Sequence, residues 1–190
     1  MDTEQSVLLH DKLREYFGFS SFKGNQEAVI QNVLSGKDTF VLMPTGGGKS
    51  LTYQVPALVM DGLTIVITPL IALMKDQVDA LRRRGISAVA VHSGMDSNRI
   101  DIALDNCTYG DVKLLYIAPE RLETDAFRVR LRRMNVSIIA VDEAHCISQW
   151  GYDFRPSYLR IAEIRKLIPN TPVLALTASA TDLVAKDIMS

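Results

Sequence analysis

Thr39-Phe40-Val41-Leu42-Met43-Pro44-Thr45-Gly46-Gly47-Gly48-Lys49-Ser50 decides the reading of this chain. An apolar, β-branched run passes into consecutive glycines, then a lysine, a hydroxyl and a helical pattern. Without a Cβ, Gly46, Gly47 and Gly48 can turn sharply, so that successive backbone N–H groups point at one anion beside a helix N-terminus. Lys49 then adds a full positive charge at the β/γ-phosphates, and Ser50 offers its hydroxyl to Mg²⁺. Met43 stands where the strict phosphate-loop pattern begins with glycine, but residues 45 to 50 make the cradle. Thr45, Gly46, Gly47, Gly48, Lys49 and Ser50 are therefore the expected nucleotide-binding residues, with ATP and Mg²⁺ as the cofactors.

Outward from that loop, short apolar runs alternate with helical patterns. Thr39 to Met43, Leu63 to Ile67, Ala88 to Val91, Lys113 to Ile117, Ser137 to Val141 and Val173 to Thr177 read as strands buried on both faces. Leu70, Leu73, Met74, Gln77, Val78 and Leu81 mark one helix; Leu159, Ala162, Leu167 and Ile168 mark another. Leu9, Leu13, Tyr16 and Phe17, then Ala28, Val29, Val33 and Leu34 before Gly36, give two N-terminal helices. The alternation predicts an α/β fold: a mainly parallel central sheet flanked by helices. A single domain over 1–190 is expected, with an N-terminal helical segment at 1–36 and the α/β core at 37–190. Thr181 to Ser190 looks like the opening turns of a helix, which puts a domain edge near the last residue.

Charge and cysteine content narrow the function classes. With 21 Lys+Arg against 22 Asp+Glu the formal charge is −1, so a histone-like field is excluded and any nucleic-acid contact must come from a local patch. Two cysteines are too few for a tetrahedral all-protein zinc site and allow at most one disulfide. A reducing, cytoplasmic setting is the simplest expectation, with no signal peptide or membrane span.

A second chemical motif follows the strand Ser137 to Val141: Asp142-Glu143-Ala144-His145. Ligands of a parallel sheet bind beyond the carboxyl ends of its strands, so these side chains are expected in the same crevice as the phosphate loop. Asp142 is the expected Mg²⁺ ligand, and Glu143 the group that orients and polarises the attacking water. His145 reads as a coupler, because phosphoryl transfer needs no imidazole in the chemical step. With Lys49 these are the catalytic candidates.

These motifs and their surroundings resemble the RecQ family of DNA helicases. Phe17-Gly18-Phe19-Ser20-Ser21-Phe22-Lys23-Gly24-Asn25-Gln26 is similar to that family's adenine-recognition segment, which implies base contacts from Lys23 and Gln26. The family generally has Arg where Lys23 stands, and an ammonium does not stack on a base as a planar guanidinium does. Thr68-Pro69-Leu70-Ile71-Ala72-Leu73-Met74-Lys75-Asp76-Gln77 and Tyr116-Ile117-Ala118-Pro119-Glu120-Arg121-Leu122 are similar to segments that grip a single strand, implying nucleic-acid roles for Pro69, Leu70 and Arg121. Cys146 to Pro156 resembles the aromatic-rich loop of the family, with Tyr152 in place of the usual His. There Trp150 and Phe154 offer faces for unpaired bases, at about 1–3 kcal/mol per stacked base, and Arg155 adds charge. Leu176-Thr177-Ala178-Ser179-Ala180-Thr181 looks like the motif that couples hydrolysis to strand separation through Thr177, Ser179 and Thr181.

The resemblance implies the first of two RecA-like lobes of an ATP-dependent 3′ to 5′ DNA helicase of the DEAH type, acting on single-stranded and partly duplex DNA in repair or recombination. It implies a second lobe as partner, a monomeric state for this piece, little hydrolysis by the piece alone, and association with the nucleoid if the source is bacterial. An RNA helicase lobe of the related DEAD/DEAH type and a stand-alone nucleotide-binding module are the alternatives. Other features read as structural. Arg82-Arg83-Arg84 complements a helix C-terminus and faces solvent, and Arg128, Arg130, Arg132 and Arg133 form a similar cluster. His92 reads as a satisfied loop histidine, and Cys107 and Cys146 as small fillers.

Overall fold

The computed structural model describes residues 3–43, 48–142 and 155–177, with side chains from 161 onward in the last stretch. Helix α1 (Thr3–Lys12) widens into a π-helical turn, Leu13–Phe17, which Gly18 closes at φ +77°. Then follow α2 (Gln26–Leu34), β1 (Thr39–Leu42), α3 (Leu51–Val59), β2 (Leu63–Ile67), α4 (Ile71–Arg83) and β3 (Ala88–Val91). The remainder is α5 (Ser97–Tyr109), β4 (Leu114–Ile117), a 3₁₀ turn (Pro119–Glu123), α6 (Asp125–Leu131), β5 (Val136–Val141), α7 (Arg155–Leu167) and β6 (Val173–Thr177).

Among the described residues the six strands are all parallel, in the order β1-β6-β5-β2-β4-β3. The period-two alternation of a strand sends successive side chains to opposite faces. Val66 joins Leu114, Tyr116, Ile138 and Ala140 in one core, while Ile65 and Ile67 join Leu115, Ile117, Ile139 and Val141 in the other. The first core is roofed by α1 to α4, the second by α5 to α7. Because both faces are covered, the inner strands read as continuous apolar runs: every residue of β2 is buried. Each fully buried Leu or Ile contributes on the order of 1.5–3 kcal/mol relative to exposure.

The expected α/β architecture is observed, with strand ends shifted by one residue at Leu42, Leu114 and Val136. Two helices that the sequence reading did not single out, α5 and α6, complete the second layer. Each is started by a side-chain cap: Asp96 Oδ1 accepts from Arg99 N at 2.8 Å, and Thr124 Oγ1 accepts from Phe127 N at 3.4 Å. Such caps are worth about 1 kcal/mol. Among the described residues no helix is long and apolar enough to cross a membrane.

Candidate nucleotide site

Lys49, in the turn that leads into α3, and Asp142, at the end of β5, meet at the carboxyl end of the sheet. Lys49 Nζ stands 3.0 Å from Asp142 Oδ1, and the two side chains are only 11% and 3% exposed. Buried charges of opposite sign must be paired, and removal of either leaves the other uncompensated. Asp142 is held in place by its backbone N–H, which donates to Ile67 O at the end of β2 (2.9 Å). Its Oδ2 accepts from the Tyr53 hydroxyl at 3.1 Å, one helical turn beyond Lys49 in α3. The same hydroxyl lies 3.0 Å from Gln77 Oε1 on α4. With one proton to give, Tyr53 shares it between two acceptors.

Burial raises the Tyr53 phenol well above its ordinary pKa, and the neighbouring Tyr116 and Asp142 push it the same way. Tyr116 is raised as well, chiefly by burial, and accepts from Gln54 Nε2 at 2.9 Å. Both tyrosines are therefore neutral hydrogen-bonding groups at any physiological pH. Tyr53, Gln54, Gln77 and Tyr116 were not among the expected site residues. Their signal in the sequence was weak: polar positions lying on otherwise apolar helical or strand patterns.

Gln26, 3% exposed, ties the N-terminal segment to Gly48. Its Oε1 accepts from Lys23 N at 2.8 Å, and its Nε2 donates to Gly48 O at 3.0 Å. Gly48 has φ +74°, and a Cβ there would run into Gln26 Nε2. Only glycine satisfies both demands at once. A cavity of about 410 Å³ opens here, with Lys23, Gln26, Gly48 and Ser50 on its wall.

The remaining expected residues fall into two sets. Thr177 is fully buried at the end of β6, between β1 and β5, and its carbonyl accepts from Met43 N at 2.9 Å. Pro69 is half-buried and Leu70 exposed beyond β2. Arg121 sits on the 3₁₀ turn beyond β4, its Nε buried with no hydrogen-bond partner among the described residues. Thr45, Gly46, Gly47, Glu143, His145, Trp150, Phe154, Ser179 and Thr181 lie outside the described residues, as do Cys146 and the pattern from Thr181 to Ser190. Arg155 opens α7, but its side chain lies outside them too.

Two structural readings gain detail. Arg82 and Arg84 are exposed, as expected, yet neither is simply solvated. Arg82 Nε donates to Ala88 O at 2.9 Å, and Arg84 Nη1 donates to Tyr16 O at 3.0 Å. The helix end thus reaches sideways, because long guanidinium arms find backbone acceptors on neighbouring segments. His92 is satisfied, accepting from Gly94 N at Nδ1 (3.1 Å), but it is buried. Its pKa is lowered by that burial and by the nearby Lys75 and Arg121. Cys107 is a buried free thiol pushed up to about 12 by desolvation.

The DEAD/DEAH box helicase family matches residues 23–188. The chain belongs to the DEAD/DEAH box helicase family. Within it, this helicase domain is homologous to RecQ DNA helicases. It is 46% identical over 179 residues to ATP-dependent DNA helicase RecQ of Pasteurella multocida, covering 94% of this chain and 28% of that protein. To ATP-dependent DNA helicase RecQ of Bacillus subtilis it is 48% identical over 186 residues, covering 97% of this chain and 31% of the relative. ATP-dependent DNA helicase Q5 of Rattus norvegicus is 44% identical over 197 residues, covering 100% of this chain and 20% of the relative. The helicase domain therefore spans less than a third of the length of these relatives. Among solved structures, the DUF1998 helicase MrfA bound to DNA superposes with a TM-score of 0.78 at 17% identity, covering 99% of this chain and 29% of that one. A hypothetical ATP-dependent RNA helicase from Sulfolobus tokodaii superposes with a TM-score of 0.71 at 23% identity, covering 97% of this chain and 55% of that one. These two show the shared RecA-like fold.

Proposed function

We propose that this domain is the nucleotide-binding motor lobe of a RecQ-like DNA helicase that moves 3′ to 5′ on single-stranded DNA and opens duplexes. The observation that carries the reading is the buried Lys49–Asp142 pair, 3.0 Å apart beside the phosphate-loop sequence. Lys49 would leave Asp142 for the nucleotide's phosphates, so the ion pair is a resting contact that the substrate replaces. Asp142 and Ser50 are the side chains suited to Mg²⁺: a carboxylate and a hydroxyl supply hard oxygen ligands, and Mg²⁺ completes its shell with phosphate oxygens and water. When bound, Mg²⁺ would neutralise charge on the β/γ-phosphates.

Tyr53 keeps Asp142 oriented while Lys49 is away, since Oδ2 retains its hydroxyl partner. Glu143, next in sequence, is the proposed residue for orienting water, and His145, Ser179 and Thr181 with Thr177 are the proposed coupling group. Pro69, Leu70, Arg121, Trp150, Phe154 and Arg155 are proposed to meet the strand. Leu70 and Arg121 support this by lying past the carboxyl ends of β2 and β4, with the cations Lys75 and Arg121 near His92. The second lobe would supply an arginine finger, worth about 10³–10⁵ in rate in related phosphoryl-transfer enzymes.

The test is ATP hydrolysis by the 190-residue chain with and without single-stranded DNA. Nucleotide binding with no DNA-stimulated turnover is expected of a single lobe. Turnover stimulated by DNA would contradict the division of labour between two lobes.

A further inference from the structure

The cavity beside the phosphate loop extends to a residue that the helicase reading leaves unused. Arg84 lines it together with Phe17, Phe19, Lys23 and Gln26. Its guanidinium carbon lies 5.1 Å from the centroid of the Phe17 ring, the separation of a cation–π contact. Nη1 is anchored to Tyr16 O at 3.0 Å, so the group is fixed at the junction of α4 and the π-helical turn. A guanidinium carries five N–H donors on a rigid plane, and the bond to Tyr16 uses one of them.

We infer that Arg84 is the cationic, planar contact for the nucleotide's base, reaching it from the end of α4. This rests on the reading of the cavity as a nucleotide site. Lys23 and Arg84 are the two cations on the described wall, and only Arg84 offers a flat face. Phe19, 45% exposed and also on the wall, is a second flat group available to a base. Gln26 is already engaged by Lys23 N and Gly48 O, so its amide is fixed in orientation before any ligand arrives. Phosphates would be held by Gly48, Lys49 and Ser50, and the base by Arg84 and Phe19. The two ends of the ligand are therefore separable by mutation.

The experiment measures binding of Mg-ATP and of inorganic tripolyphosphate, which lacks a base, to the wild-type chain and to Arg84→Ala, Arg84→Lys and Lys49→Ala, with melting temperature as the control for folding. Arg84→Ala is expected to weaken ATP about tenfold and leave tripolyphosphate unchanged. Arg84→Lys is expected to behave like the alanine variant, because charge without a plane does not stack. ATP affinity unaltered in Arg84→Ala, an equal loss of both ligands, or full rescue by lysine would each overturn the assignment of Arg84. A loss of ATP that follows a large drop in melting temperature would also count against it, since Arg84 would then act through the Tyr16 anchor alone. The underlying reading fails separately: it is lost if wild type binds neither ligand, or if Lys49→Ala binds both as wild type does.

Discussion

The hydroxyl of Tyr53, on α3, reaches Asp142 at the end of β5 with an Oη–Oδ2 distance of 3.1 Å. Asp142 is thereby held from two directions, by Lys49 on one oxygen and by Tyr53 on the other. Tyr53→Phe keeps the ring and its edge-on packing against Tyr116 but withdraws the proton shared by Asp142 and Gln77. Withdrawing that donor from the buried Asp142 carboxylate costs about 1–3 kcal/mol. For a chain of this size that lowers the melting temperature by roughly 2–12 °C, at about 2–4 °C per kcal/mol. Differential scanning calorimetry measures it, and an unchanged melting temperature would show that the hydroxyl is not structural.

Gly62, between α3 and β2, has φ +98°, and a Cβ there would stand 2.8 Å from Ser137 Oγ and 2.9 Å from Asn135 Nδ2. It also crowds Asn135 O, which accepts from Leu63 N at 2.7 Å where β2 and β5 begin to pair. Gly85 has a similar φ of +82° with no atom within 4 Å of the built position. Gly85→Ala therefore carries only the left-handed strain of about 1–2 kcal/mol. Gly62→Ala is expected to be distinctly more destabilising in urea titration. Equal losses for the two variants would mean that the β2–β5 start is not crowded.

His92 gives stability an acid limb. Its folded pKa lies below the ordinary 6.5, through burial first and then Lys75 and Arg121. The folded chain thus binds fewer protons than the unfolded chain, so His92 favours folding above about pH 6.5 and that contribution is lost as pH falls through the lowered value. His92→Asn keeps an acceptor for Gly94 N but cannot titrate. Between about pH 7 and 5 the wild type is expected to lose more stability than His92→Asn, with the other histidines cancelling in the difference. Parallel curves would contradict the assigned shift.

The strands were legible in the sequence because a doubly covered parallel sheet writes itself as unbroken runs such as Leu63-Thr64-Ile65-Val66-Ile67. Lys49 and Asp142 were legible because each follows such a strand, and topology then brings them together. The tyrosine network was not. Tyr53 meets Gln77 and Asp142 across 24 and 89 positions, and in local pattern it is only another large residue on a buried helix face. Arg84 was legible only in part for a related reason: its place at an exposed helix end could be read locally, but its lateral bond to Tyr16, 68 positions away, left no local trace.

Isothermal titration of Mg-ATP into the wild-type chain and into Lys49→Ala tests the central claim most directly. The Lys49–Asp142 contact is read as a resting pair that yields to phosphate, so wild type is expected to bind. Loss of a charge-assisted hydrogen bond of about 1.5–3 kcal/mol predicts a drop of roughly ten- to a hundredfold or more in the variant. Equal binding by both chains, or none by wild type, would contradict the claim that this pair marks the nucleotide site.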